Sequence, residues 1–405
     1  MLAAPAQAHV LMRKTEIYSV LDEICQVLEL TAAQLDAARI SYEAVAEWLS
    51  ASDNPILKWI EIYAHGSAGL GTTVRPIGRE DFDVDLICNV LRFAADRPPA
   101  ELKRIVGDRL KENARYAGML EEKKRCWRLN YAREYHLDIS PTIINPGCDN
   151  GGELVPDKKL REFKPTNPKG YKTLFERRAA LMPKLRTRKA IMAEDRAGVE
   201  PFPVHGTAKG ILRRTVQLLK RHRDVHFQEV VEDVAPISII ITTLAAQSYE
   251  YCVRHFTFDS ELDVLIATIR LMPHFIDRPY VNGRRIYVVA NETTIGENFA
   301  ERWNTEPARA AAFYAWHTKA LADFEALPDL EGIDVLARNL GKSLGGSVVG
   351  KVVDARAEAV SQARIGKKLY VAPAIGLTLS SAANATPVQP NTFSGTRCLS
   401  AAAPI

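Results

Sequence analysis

From Phe82 to Ile87 apolar and acidic residues alternate, Phe-Asp-Val-Asp-Leu-Ile. A period of two marks a half-buried strand, so Phe82, Val84 and Leu86 face a core while Asp83 and Asp85 leave the opposite face together. Two like charges held that close raise one another's pKa unless a cation lies between them. A hard divalent ion such as Mg2+ is the natural partner for such oxygens. A second alternating run, Tyr135-His136-Leu137-Asp138-Ile139, turns Leu137 and Ile139 to the core and Asp138 to the polar side. If the two strands pair, Asp83, Asp85 and Asp138 form one cluster. Three carboxylates of this kind can hold two metal ions and activate a hydroxyl for in-line attack on a phosphate.

A small Gly-rich turn, His65-Gly66-Ser67-Ala68-Gly69-Leu70-Gly71, stands upstream, with Ser67 sixteen residues before Asp83. Glycine lets the backbone approach a phosphate, and amides at a following helix N-terminus face its negative charge. Ser67 can add a hydroxyl hydrogen bond. Alone, a Gly-Ser turn is usually just a turn, and a D-x-D pair is often a solvated strand face. The order carries the inference: helix, Gly-Ser turn, strand with two aspartates, later strand with one.

In that order the run GSAGLGTTVRPIGREDFDVDLI, followed by YHLDISPTI, resembles the nucleotidyltransferase core of polymerase-β type. It is more closely similar to the CD-NTases, bacterial relatives of animal cGAS and oligoadenylate synthase that serve anti-phage CBASS systems. The likeness continues through ILRRTVQLLKRHRD, APISIIITTLA and ANETTIGENFAERW, and so spans roughly Glu16 to Trp316. It implies an α+β fold, a polymerase-β-like nucleotidyltransferase core with a helical second lobe. It also implies that Gly66 and Ser67 hold a nucleoside triphosphate and that Asp83 and Asp85 bind two Mg2+ ions. Asp138 would complete one metal site and help to deprotonate the acceptor hydroxyl, while Lys220 and Ser238 contact the donor triphosphate from the second lobe. The implied substrates are ATP, GTP or both, and the implied product is a cyclic di- or trinucleotide second messenger. CBASS ancillary or effector proteins are the implied partners. The chain departs from the family in a longer gap between Gly-Ser and D-x-D, which contains Pro76 and Gly78. It also lacks the Cys/His thumb of cGAS, and Glu292 rather than proline follows Asn291, which is therefore given no catalytic role.

Elsewhere, Ile17, Val20, Leu21, Ile24, Val27 and Leu28 recur at helical spacing, and a second such run spans Leu35 to Leu49. Leu102–Leu110 reads as a helix and Trp127–Tyr131 as a strand, and Pro141 should halt the strand begun at Tyr135. From Asn145 to about Pro203 the chain is Pro/Gly-rich and basic, which predicts long polar connections. Beyond His205 it becomes mostly helical. Lys220 falls beside the apolar face of Ile211–Arg223, where its stem can pack while its ammonium reaches a phosphate. Pro236 opens another apolar helix, and further helices are expected at Glu261–Met272, Ile295–Asn304 and Ala308–Leu327. The reading divides the chain into a nucleotidyltransferase core with an N-terminal helix over 1–200, a helical lobe over 201–375 and a disordered tail over 376–405.

A net charge of +4 over 405 residues excludes a uniformly basic nucleic-acid coat. The charge is unevenly spread: Val155–Ala190 carries twelve Lys/Arg against three Asp/Glu, or +9, leaving −5 for the remainder. That block reads either as a mobile basic loop or as an attractor of polyanionic nucleotides or RNA. Six cysteines at least 22 residues apart offer no zinc-ligand spacing and fit a reducing compartment. With no apolar run near the roughly 18 residues of a membrane span, a cytoplasmic chain without a membrane partner is expected. Gly341-Lys342-Ser343 is not a P-loop, since the glycine required five residues earlier is Leu336. His222 and His226 lack a third local ligand and should face solvent, and Lys123-Lys124-Arg125 reads as a solvated run. Two other functions compete with the cyclic synthase: a linear or RNA-tailing transferase, and a non-enzymatic binding module on the same scaffold.

Overall fold

The computed structural model describes residues 4–78, 82–131, 135–157, 161–186, 209–230, 233–372, 376–378 and 386–388. In chain order the first half contains α1 (Ala4–Leu28), α2 (Ala32–Ser50), β1 (Ile60–His65), α3 (Gly66–Leu70), β2 (Phe82–Val90), α4 (Pro99–Lys111) and α5 (Ala114–Ala117). β3 (Leu120–Glu122), β4 (Trp127–Tyr131), β5 (Tyr135–Ile144), β6 (Glu153–Asp157), β7 (Glu162–Thr166) and α6 (Pro168–Ala179) follow. The second half is helical: α7 (Ile211–His226), α8 (Ser238–His255), α9 (Glu261–Leu271), α10 (Pro307–Glu325), α11 (Ile333–Leu344) and α12 (Gly346–Ile365).

The sheet runs β1-β2-β5-β4-β3, and the far end of β5 carries β6 and then β7. β2 and β5 are parallel, which requires a long crossover; α4, α5 and the β3–β4 hairpin supply it. Alternation buries Phe82, Val84, Leu86, Trp127, Leu129, Tyr135, Leu137 and Ile139 on one face, beneath α2 and α4. Thr31 caps α2 with a reciprocal Gln34 box, which sets where that cover begins. The opposite face of the sheet is left polar.

A second core joins α7 to α12 with two elements from the first half of the chain. α1 contributes Leu21, Ile24 and Leu28, and α6 contributes Tyr171 and Phe175. Both lie in sequence beside the sheet yet bury their apolar faces in the helical lobe.

Four expectations change. β5 continues through Pro141 to Ile144, because Pro141 falls between the stretch paired with β4 and the stretch paired with β6, where the missing N–H is tolerated. The basic Asn145–Pro203 segment is not simply connection: it holds the β6–β7 hairpin and α6. Asn167 caps α6 by accepting from Gly170 N at 2.8 Å, with Pro168 in the first turn. Ile295–Asn304 is no helix beyond a 3-10 turn at Glu301–Asn304, and Ile295 is 91% exposed. Asn298 Oδ1 accepts from the backbone of both Val289 and Ala300 there and ties the chain into a loop. The expected disorder fails where the tail is described, since Gly376–Thr378 and Thr386–Pro387 both pair with Tyr370–Ala372, while 379–385 and 389–405 lie outside the described residues. Among the described residues no helix is long and apolar enough to cross a membrane.

Candidate active site

Residues opposite one another in paired strands project to one face, so the register can be read as a row of side chains. Across the polar face that row is Glu121 (β3), Arg128 (β4), Asp138 (β5), Asp85 (β2) and His65 (β1). One step along, Asp83 stands opposite His136. The three predicted aspartates therefore share one patch, with Asp85 and Asp138 direct neighbours. Arg128 binds two of them: Nε donates to Asp138 Oδ1 at 2.7 Å, and Nη2 donates to Asp138 Oδ2 at 2.7 Å and Asp83 Oδ1 at 3.1 Å. No such bond reaches Asp85. Burial, followed by the charges of Asp138 and Asp83, pushes Asp85 up to about 6. Burial also holds His65 down, to about 4.

The Gly-Ser turn closes over the same carboxylate. Gly66 has φ +63°, and a Cβ built there would lie 1.9 Å from Asp85 Oδ2. Backbone and neighbour both demand glycine. The chain then curls so that Thr72 N donates to Ser67 O at 3.0 Å. Buried Thr72 also meets the helical lobe, for Lys220 Nζ donates to its carbonyl at 3.1 Å and its hydroxyl at 3.0 Å. Arg213 and Gln217, earlier on α7, hold the same loop at Leu70 O and Thr73 O. Burial lowers Lys220 to about 7; Arg223 adds to the shift, and Asp224 and Asp85 oppose it. Ser238 opens α8 and accepts from Arg223 Nη1 at 3.0 Å, so it sits one turn of α7 beyond Lys220. Gly66, Ser67, Asp83, Asp85 and Asp138 thus gather at one corner of the sheet. Lys220 touches that corner through Thr72, whereas Ser238 is joined to it only through Arg223.

Among the described residues no three His, Cys, Asp or Glu side chains converge as a formed metal cluster. The carboxylates of the patch are instead spread along two strands and partly covered by the Arg128 guanidinium.

The Second Messenger Oligonucleotide or Dinucleotide Synthetase domain matches residues 16–178. Over 386 residues the chain is 30% identical to a c-di-GMP synthase of Roseivirga ehrenbergii, with 94% of this chain and 98% of that protein covered. The chain belongs to the CD-NTase family. This CD-NTase is therefore a nucleotidyltransferase of the cyclic oligonucleotide synthase type. It is also 24% identical over 368 residues to the cyclic dinucleotide synthase CdnG of Bradyrhizobium diazoefficiens, covering 87% of this chain and 84% of that one. The solved structure of that CdnG in complex with GTP matches the fold with a TM-score of 0.63 at 21% identity, over 84% of this chain and 99% of that chain. The Escherichia coli MS115-1 CdnC:HORMA-deltaN complex matches with 0.58 at 13% identity, over 82% and 97%. The α+β polymerase-β-like core with a helical lobe is thereby shown for this CD-NTase.

Several residues of the site escape a reading by motif. Arg128 obeys the same alternation as Trp127 and Leu129, so its side of β4 is readable, but its partners depend on register. Thr72 and Arg223 lie inside the runs that carry the resemblance, but neither residue type nor spacing marks them as site residues. His222 is buried rather than solvent-facing: its Nδ1 accepts from Trp316 Nε1 at 3.1 Å, which leaves the proton on Nε2 for Asp323 Oδ2 at 3.1 Å. Asn291 is a buried turn residue, bonded to Glu297 and Thr293.

Proposed function

We propose that this CD-NTase joins two GTP molecules into cyclic di-GMP, with Asp83, Asp85 and Asp138 holding two Mg2+ ions. The observation that carries this reading is the direct pairing of Asp85 with Asp138 across β2 and β5, with the Gly66 turn closed over Asp85. GTP as substrate is supported by the product named for the Roseivirga relative, which matches almost end to end. The donor chemistry fits a hard divalent cation: the groups are carboxylate oxygens, and Asp85 carries a raised pKa that a cation would relieve. When bound, such ions supply Lewis-acid stabilisation of the attacking and leaving oxygens.

Asp138 would take the proton of the acceptor hydroxyl as its oxygen bonds to the donor α-phosphorus. The bond from the α-phosphorus to the bridging oxygen breaks, and pyrophosphate leaves. Gly66 and Ser67 would hold the triphosphate by backbone amide and hydroxyl, Ser238 would contact it from the second lobe, and Lys220 and Ser67 would neutralise and orient the departing pyrophosphate. A second transfer within the linear intermediate closes the ring. In the proposed division of labour the sheet within residues 1–200 supplies the catalytic face, and 201–375, packed with α1 and α6, supplies the opposing wall. The proposed setting is cytoplasmic anti-phage CBASS signalling with an ancillary or effector protein.

Purified enzyme incubated with Mg2+ and α-labelled GTP should give a phosphatase-resistant product without added ATP or RNA. Asp85→Asn should abolish that product while leaving the circular dichroism spectrum unchanged. A phosphatase-sensitive ladder, or dependence on RNA, would overturn the reading in favour of a linear or tailing transferase.

A further inference from the structure

Arg128 stands in the middle of the transverse row with an acidic residue on either side. On β5 it covers both oxygens of Asp138 and reaches Asp83. On β3, an edge strand of the sheet, Glu121 is its register partner. Glu121 is 49% exposed and paired with Lys123 at 2.5 Å. An exposed pair of that kind is cheap to rearrange. One guanidinium thus has two seats on one face of the sheet, a part-buried one on the aspartates and an open one beside Glu121.

The part-buried seat uses oxygens that the proposed metal ions need. A guanidinium bonded through Nε and Nη2 occupies lone pairs on both sides of Asp138, and a divalent ion approaching them would meet a fixed positive charge. The two compete for Asp138, because each oxygen already accepts one guanidinium N–H and either cation neutralises part of the same negative patch.

We propose that Arg128 is the resident counter-ion of the aspartate cluster and yields to divalent metal by crossing to Glu121. The inference rests on the metal reading of Asp83, Asp85 and Asp138. Its consequence is that metal loading depends on substrate. Without a triphosphate the ion must displace a well-seated guanidinium, whereas bound triphosphate adds negative charge that draws ions in and offsets the exchange. Arg128 in this role is a positioning residue that acts through the carboxylates.

The test is Mn2+ binding to the purified protein, followed by the loss of the free-ion electron paramagnetic resonance signal, with and without a non-hydrolysable GTP analogue. Without nucleotide, Arg128→Met should bind Mn2+ about tenfold more tightly than the parent, the equivalent of one charged hydrogen-bond set. With nucleotide, read against a protein-free control because the analogue itself binds Mn2+, both should bind more tightly and keep about the same tenfold ratio. Arg128→Lys, which keeps the charge but loses the two-pronged grip, should fall between them and serves if the methionine variant folds poorly. Glu121→Gln should weaken binding about twofold to threefold; unchanged affinity would overturn the Glu121 seat. Unchanged or weaker Mn2+ binding in Arg128→Met would overturn the exchange and make Arg128 a plain tie between β4 and β5. Asp85→Asn separates the two levels of inference. It should lose Mn2+ binding without nucleotide, where the protein is the ion's only ligand, and if it does not, the metal reading itself falls.

Discussion

Gly66 is constrained twice, by a left-handed backbone and by the Asp85 carboxylate lying where a side chain would begin. Alanine there costs about 1–2 kcal/mol in backbone strain and must also displace Asp85. Gly66→Ala is therefore expected to lower GTP turnover at least about hundredfold, through loss of alignment, with only a modest fall in the urea midpoint. Turnover above a tenth of the parent would remove the turn from the site. Lys220 gives a prediction with a definite sign. Its folded-state pKa lies near 7, below the ordinary lysine value of 10.5. Between those values the unfolded chain holds a proton that the folded chain lacks, so stability from this group rises with pH by about 1.4 kcal/mol per unit. Lys220→Met should abolish that rise between pH 7 and 9 and, near neutrality, unfold at higher urea than the parent. Binding of a triphosphate should restore the proton. Calorimetry at pH 8 in buffers of differing ionisation enthalpy is expected to show proton uptake in the parent and none in the variant.

Among the elements, β2 and β5 were legible because a half-buried strand writes its two faces into alternate residues. Phe82, Val84 and Leu86 lie in the core and Asp83 and Asp85 on the polar face. The parallel register that brings Asp85 beside Asp138 was not legible, since it depends on the 44-residue crossover between Val90 and Tyr135. α6 was hidden for a different reason. Its proline, glycine and basic side chains read as loop, yet the Asn167 cap and the buried Tyr171 and Phe175 make it a helix. Locally the cap, the first-turn Pro168 and the Leu-Phe-Glu-Arg-Arg-Ala run all favour a helix, and the Pro/Gly-rich, basic flanks masked them. The limit that hid the register applies to Lys220. Its place beside the apolar stripe of α7 could be read from spacing, but its bonds to Thr72 join residues 148 apart in the chain.

At the scale of the whole molecule, the +9 of residues 155–190 need not face a polyanion. Lys158, Lys159, Arg188 and Lys189 lie outside the described residues. Within them, Lys164 pairs with Glu301 at 2.8 Å, Lys169 with Glu61 at 2.5 Å and Arg186 with Asp259 at 3.8 Å. Arg178, only 6% exposed, binds Glu250 at 2.7 Å and Glu292 at 2.6 Å. These pairs tie β7, α6 and the segment after it to β1, α8 and the loops of the helical lobe, so basic charge near the sheet meets acid from elsewhere. The exposed pairs add little to stability, but a buried arginine between two carboxylates is costly to remove. Arg178→Met is accordingly expected to cost about 2–4 kcal/mol in urea unfolding, while Lys169→Gln stays within about 0.5 kcal/mol of the parent. Neither Lys164→Gln nor Lys169→Gln should change GTP turnover at saturating substrate. A gel-shift titration with single-stranded RNA should show no binding that these substitutions weaken. If either one released RNA, the block would be a nucleic-acid grip after all, and the tailing reading would regain its footing. If Arg178→Met alone is destabilising, the concentrated positive charge is a fastening between sheet and helices, leaving the triphosphate to Lys220 and the Gly66 turn.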